Sequence, residues 1–161
     1  MELDTGHSFT AVGIRGRRTP RGLVVPVDVR WSDMDAYQHI NNARMVTLLE
    51  EARIPLLFAP DAPTKPLEAG LLVARLEVDY KGQLRHQDSP LQVTLSTARV
   101  RAADFVVQHE VRGVDDDPDA APAVLATVRL AAFDVENQRV HRLSAEQRAY
   151  LKDFQPEPAP A

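Results

Sequence analysis

Residues 31–60 read WSDMDAYQHINNARMVTLLEEARIPLLFAP, a polar cluster that runs directly into an apolar segment. From Met45 the spacing is helical. Met45, Leu48, Leu49, Ala52 and Leu56 fall at i, i+3, i+4, i+7 and i+11 and form one stripe. Val46, Ile54 and Leu57 crowd other sides, so this helix is expected to be buried more than most. Asn41 or Asn42 can cap its start by accepting a bond from an orphan backbone N–H. Pro55 disfavours helical geometry at Ile54, which predicts a kink or an end near there.

Around this helix the pattern is β. Upstream, LVVPVDVRW (23–31) alternates, with Val25, Val27, Val29 and Trp31 on one face; Pro26 suggests an edge or the strand's first residues. Downstream, LLVARLEVDYKG (71–82) places Leu72, Ala74, Leu76, Val78 and Tyr80 inward and Arg75, Glu77, Asp79 and Lys81 outward. PLQVTLSTARV (90–100) starts in the same style and then slips phase at Ala98 and Val100, which predicts a bulge or strong bend. ADFVVQHEVRG (103–113) groups Phe105, Val107 and Val111, with RAAD (101–104) as its hairpin turn. AVLATVRLAAFDV (123–135) is apolar on both faces, as in a central, doubly covered strand. Ser144 and Gln147 form an S-x-x-Q capping box ahead of a short helix.

The element order is strand, long helix, then four strands. The natural packing of a lone apolar helix followed by an antiparallel meander is a sheet curled around the helix. The expected fold is therefore α+β, with an antiparallel sheet of about five strands around one long central helix. Its expected divisions are a flexible lead-in at 1–21, the main domain at 22–143, a short C-terminal helix at 144–154 and a disordered tail at 155–161. The lead-in is polar and arginine-rich, with Gly13, Gly16 and Pro20; the tail is QPEPAPA.

Composition bounds the function. A chain of 161 residues with 44% hydrophobic and 26% charged content fits one soluble domain with a genuine core. A net charge of −4 argues against nucleic acid as the main partner. The absence of cysteine excludes disulfides and thiolate chemistry and fits a reducing cytosol. MELDTGHSFT shows no secretory pattern, and no apolar run approaches the roughly 20 residues of a bilayer span, so a cytoplasmic protein is expected.

The chemistry concentrates in WSDMDAYQHINN (31–42). Asp33 and Asp35 sit at a strand-to-helix junction, with His39 and two asparagines following. A buried helix start offers unpaired N–H groups that polarise a carbonyl and stabilise an oxyanion. A carboxylate opposite it can attack directly or activate water, while a histidine and an amide orient the reactants. Together these parts support acyl transfer to water. Each also has a bland reading: an aspartate that caps a loop, a structural histidine, an asparagine pair that only starts the helix. Two acids and one histidine in a loop lack the spacing of a metal site.

WSDMDAYQHINNARMVTLLEEAR (31–53) resembles the D-x-D-x-x-[GQ]-H-x-N-N-x-x-Y-x-x-x-x-E-x-x-R signature of hotdog-fold thioesterases, in the 4-hydroxybenzoyl-CoA thioesterase-like group. Its QHxNN form is also similar to plant acyl-ACP thioesterases. More loosely, the resemblance extends over residues 22–135 through the order of elements. It implies an acyl-CoA thioesterase that releases free acid and coenzyme A, with Asp35 as nucleophile or general base. His39 assists it, and the backbone N–H of Asn42 polarises the thioester carbonyl. Asp33 matches a structural acid; Glu50 and Arg53 match a late helical pair read as an internal ion pair.

Tyr37, Asn41 and Met45 join the substrate-binding set. Met45 stands where many members have tyrosine, and Tyr37 where the plant enzymes have asparagine. Arg99 and Arg101 are favoured for the coenzyme A phosphates over Arg85 and His86, while His7, His109 and His141 receive no role. No metal or other cofactor is implied, coenzyme A being part of the substrate. The family's assembly implies a homodimer or homotetramer. The alternatives are an acyl-ACP thioesterase and a non-catalytic acyl-CoA-binding or regulatory hotdog module.

Overall fold

The computed structural model describes residues 9–11 and 14–157. Strands β1 (Phe9–Ala11), β2 (Ile14–Thr19) and β3 (Gly22–Val27) precede helix α1 (Asn42–Phe58). Strands β4 (Leu71–Tyr80), β5 (Leu91–Ala98), β6 (Asp104–Arg112), β7 (Val124–Asp134) and β8 (Arg139–Val140) follow, and helix α2 (Ala145–Lys152) closes the order. The sheet is antiparallel, in the order β1-β2-β3-β5-β6-β7-β4, with β8 on β7.

Its concave face holds α1. Leu49, Ala52, Leu56 and Leu57 of the helix are buried against Leu23 and Val25 of β3, Leu91, Val93 and Leu95 of β5, and Phe105 and Val107 of β6. The wrapped-helix architecture expected from the sequence is present, with more strands than the five anticipated. Two of the extra ones lie in the stretch read as a flexible lead-in. There β2 pairs with β3 through Arg17↔Val24 to Thr19↔Gly22, so the arginines that suggested a loose segment belong to a strand with a solvated face. Residues 1–8, 12–13 and 158–161 lie outside the described residues. Of the expected disordered tail, Glu157 N–H donates to Pro20 O at 3.1 Å, which ties it to the β2–β3 turn.

Several local expectations are corrected. Pro55 sits inside α1 rather than ending it, because Leu56 and Leu57 beyond it gain full burial by continuing the helix. Strand β3 stops at Val27, and Trp31 is 73% exposed in a 3-10 turn, standing edge-on to His86 rather than joining the core. Pro26 lies past the end of the β2 pairing and beside β5, where it interrupts no ladder on the β2 side. Strand β5 pairs with β6 without a register break up to Ala98, and the phase slip expected there is a bend, with Arg99 at φ 49° directly after the strand. The bulge is in β4 instead, where Ala74 is the extra residue between the pairs Val73↔Leu130 and Arg75↔Arg129. That single residue changes the phase. Leu76, Val78 and Tyr80 face the helix as expected, but so do Val73 and Leu71, not Leu72 and Ala74. Strand β7 buries one face only, through Val124, Ala126, Val128, Leu130 and Ala132.

At the far end, α2 carries the expected capping box. Gln147 N–H donates to Ser144 Oγ at 3.1 Å, and Ser144 N–H to Gln147 Oε1 at 2.9 Å. Tyr150 then donates to Leu56 O at 2.6 Å, which fastens α2 to the end of α1. Burial pushes the Tyr150 phenol up to about 12, so it remains a donor at any ordinary pH. No helix among the described residues is long and apolar enough to cross a membrane.

His109 of β6, given no role by the sequence, is 1% exposed beneath α1. Neither ring nitrogen makes a hydrogen bond of good geometry among the described residues. Burial, then the nearby Arg53 charge, push its pKa down to about 3, against a weaker opposing pull from the carbonyls of Ala126, Leu49 and Val107. The unfolded chain therefore binds this proton between its ordinary 6.5 and about 3 while the folded chain does not. Stability from this source is complete above pH 6.5 and falls on acidification, with a slope of up to about 1.4 kcal/mol per pH unit. Denaturant titrations between pH 7 and pH 4 are expected to show this loss in the wild type and a shallower one in His109→Phe.

Candidate active site

The loop between β3 and α1 is built by its own acids. Asp33 is buried, and its Oδ2 accepts the Arg30 N–H at 2.8 Å while its carbonyl accepts the Asn41 N–H at 2.9 Å. These bonds give it the structural role expected from the sequence. Asp35 closes the tip: its N–H donates to His39 O at 2.9 Å, and its carbonyl accepts the Gln38 N–H at 3.0 Å. Its Oδ1 accepts from Tyr37 N–H at 2.9 Å and His39 N–H at 3.4 Å. Asp35 Oδ2 makes no hydrogen bond among the described residues. Gln38 carries the tight turn with φ of 61°, a left-handed conformation that polar side chains tolerate better than branched ones.

Asn41 caps α1. Its Oδ1 accepts the Ala43 N–H at 2.9 Å, and its carbonyl takes the Met45 N–H at 2.9 Å. The Asn42 N–H, first of the helix, is used by neither bond and by no other described residue. It carries the unspent donor and the partial positive charge of a helix start.

Asp35, Tyr37, His39 and Met45 border one concavity of about 350 Å³, together with Ile40, Tyr80, the 82–84 segment and Val124. Asn41 and Asn42 are not part of its lining; they follow Ile40, which is, at the start of the helix. Tyr80 is the member that motif reasoning missed. Its alternation in β4 placed it inward, but only the fold brings it to α1, where its hydroxyl donates to Asn42 O at 2.8 Å. Ile40 N–H donates to Leu84 O at 2.8 Å and holds the loop to the 81–84 segment.

Arg99 and Arg101 lie elsewhere. With Arg75 and Arg129 they surround a separate concavity of about 350 Å³ on the outer face of the sheet, where Glu77 and Asp104 are the acids among the described lining residues. Arg75 is held by Glu77 at 2.6 Å; Arg99, Arg101 and Arg129 have no ion pair among the described residues. Arg85 and His86 border neither concavity. A larger concavity of about 620 Å³ lies under the acidic 114–119 loop, walled by Arg17, Val24, Arg112 and Pro118, and contains none of the expected site residues.

The expected Glu50–Arg53 ion pair is not formed. Arg53 turns into the protein and is 7% exposed, whereas Glu50 stays in solvent and acts on it only through charge at a distance.

Asn41→Ala is expected to cost about 1 kcal/mol of stability through loss of the cap. Equilibrium urea unfolding measures it, and an unchanged midpoint would contradict the role of that bond in fixing the helix start.

Among curated proteins, none matches this sequence. Solved structures do. A thioesterase of Thermus thermophilus, complexed with coenzyme A and Zn, is 26% identical over 84% of this chain and 95% of its own, with a TM-score of 0.65. The PA2801 protein of Pseudomonas aeruginosa is 26% identical over 78% and 95%, with a TM-score of 0.67. A thioesterase superfamily member from Jannaschia sp. CCS1 shares the fold at 16% identity over 87% and 97%, with a TM-score of 0.70. The family model of the thioesterase-like superfamily matches residues 29–155, which spans the acidic loop, α1, the sheet from β4 onward and α2. On that match and this architecture, the chain belongs to the thioesterase-like superfamily and has its hotdog fold.

Proposed function

We propose that the protein is an acyl-CoA thioesterase, with the reaction centred on Asp35. The observation that carries this reading is an aspartate with a free carboxylate oxygen on the concavity, next to a helix start whose first N–H is unspent and whose first turn supplies Met45 to the same lining. The thioester carbonyl would lie with its oxygen toward Asn42 N–H. Attack by Asp35, or by a water that Asp35 deprotonates, builds negative charge on that oxygen, and the helix start favours it. Collapse expels the coenzyme A thiolate, which takes up a proton; where Asp35 itself attacks, water then hydrolyses the acyl–Asp35 anhydride to free acid and restores the carboxylate. His39, on the same concavity, orients the attacking group. Tyr37, Asn41 and Met45 shape the space for the acyl end. The steps draw on the chain's own groups and water, with coenzyme A entering as part of the substrate.

The outer arginines Arg99 and Arg101 are assigned to the coenzyme A phosphates. Planar guanidinium forks suit phosphate oxygens.

A second copy completes the assembly in this reading. β4 is an edge strand of 10 residues whose Leu72, Val73, Leu76 and Tyr80 are exposed. A long apolar edge invites another strand, and two-fold pairing of β4 with β4 covers it. Leu76→Lys is expected to shift the mass measured by sedimentation from dimer or tetramer to monomer.

Thiol release from short, long and aromatic acyl-CoAs tests the activity. Asp35→Asn is expected to lose roughly 100-fold or more in turnover at preserved folding, as for removal of an acid–base catalyst or nucleophile. Turnover on acyl-ACP alone would favour the carrier-protein substrate. Stoichiometric acyl-CoA binding without turnover would make the chain a binding module.

A further inference from the structure

Beside the C-terminal half of α1 runs a groove of about 460 Å³, walled by Ile54, Leu57 and Phe58 of the helix, Leu71 and Val73 of β4, and Leu130 of β7. It exists because α1 leans on β3 and β5 and leaves the inner face of β4 uncovered; Val73 is 54% exposed there. Arg53 borders the groove. It is buried, and its guanidinium makes no hydrogen bond and no ion pair among the described residues. Desolvation lowers its pKa, a trend that the charge of Glu50 opposes. A guanidinium has five N–H donors and accepts nothing, so the groove holds a cluster of unfilled donors against an apolar wall. The Arg53 nitrogens are not sealed off as those of nearby His109 are, so a ligand in the groove can reach them. His109, whose ring is buried beside Arg53, does not occupy them.

We infer that this groove takes the acyl group and that Arg53 donates to a neutral oxygen on it, a hydroxyl or keto oxygen remote from the thioester. The inference rests on the thioesterase reading above. Position supports it, since the groove and the Asp35 concavity border the same seam between α1 and β4. Met45 lies on one and Arg53 on the other, eight residues apart, or about 12 Å at 1.5 Å per residue. Charge selects a neutral oxygen over a carboxylate. Lys65 and Glu68 at the rim neutralise one another at 2.5 Å, and Glu51 leans toward Arg30 at 4.0 Å. Glu50 then faces Arg53, and the three carboxylates around the groove outnumber its two cations. A ligand carboxylate would enter against that balance. A hydroxyl or carbonyl fills the donors without adding charge.

Decanoyl-CoA, ω-hydroxydecanoyl-CoA and the corresponding dicarboxylic mono-CoA thioester, compared by kcat/KM, test this with the full-length protein. A site built to hydrogen-bond a substrate oxygen discriminates strongly against the analogue that lacks it. The hydroxylated substrate is expected to lead the other two by roughly tenfold or more. Arg53→Met is expected to erase that lead, leaving the hydroxylated substrate and decanoyl-CoA with similar kcat/KM, and Arg53→Lys to retain part of it. Equal or better turnover of decanoyl-CoA, a preference for the dicarboxylic thioester, or an undiminished lead in a folded Arg53→Met protein would each overturn the inference. Should Arg53→Met fail to fold, the wild-type comparison decides alone. Hydrolysis of short acyl-CoAs with none of the three would end this inference and spare the thioesterase reading. No release from any thioester would end both.

Discussion

Leu49, Ala52 and Leu56 of α1 have almost no solvent contact because β3, β5 and β6 curve around them, and the rest of the structure follows from that burial. A helix enclosed by a sheet can meet solvent only at its ends and along one seam. Its start is covered by the 31–41 loop, whose acids spend themselves on backbone N–H groups. Its end is fastened by Tyr150 of α2, and α2 is held in turn to β5 by Thr97, whose hydroxyl donates to Leu151 O. The seam is left along β4. Carboxylate, helix start and groove all lie on the few parts of α1 that the sheet does not enclose.

The wrapped helix was legible because its signal is local and redundant. The stripe from Met45 to Leu56 fixes the helix, and clean alternation fixes β3, β5 and β6. The features that were not legible depend on neighbours distant in sequence. Arginines at 17 and 18 look like a loose segment until β3 is there to pair with them. Pro55 looks like a terminator until the burial of Leu56 and Leu57 outweighs its missing N–H. Ala74 gives no sign of being the extra residue of a bulge, since its neighbours alternate as well in either phase.

The site divides in the same way. Asp35, Tyr37, His39 and Met45 were readable as a group because one loop and one helical turn carry them. The cap, too, was readable: asparagines at a helix start have one common use, and Asn41 performs it. Tyr80 comes from a strand nearly forty residues away and is joined to the group by one hydrogen bond to Asn42 O. Arg53 was misread for a related reason. Helical spacing brings it within reach of Glu50, but the sheet on its other side draws the stem inward, where apolar carbons gain more than the exposed pair would.

The bulge at Ala74 also bears on how such chains are compared with one another. Because one unpaired residue decides whether Leu71 and Val73 line the groove or stand on the outside, the wall there is set by residue count as much as by residue type. A relative lacking Ala74 would keep Leu71 and Val73 opposite Ala132 and Leu130 by plain alternation, with Leu76, Val78 and Tyr80 unchanged. Two relatives could thus present the same groove lining from positions offset by one residue. An alignment that forbids a gap at 73–75 would pair side chains that point in opposite directions.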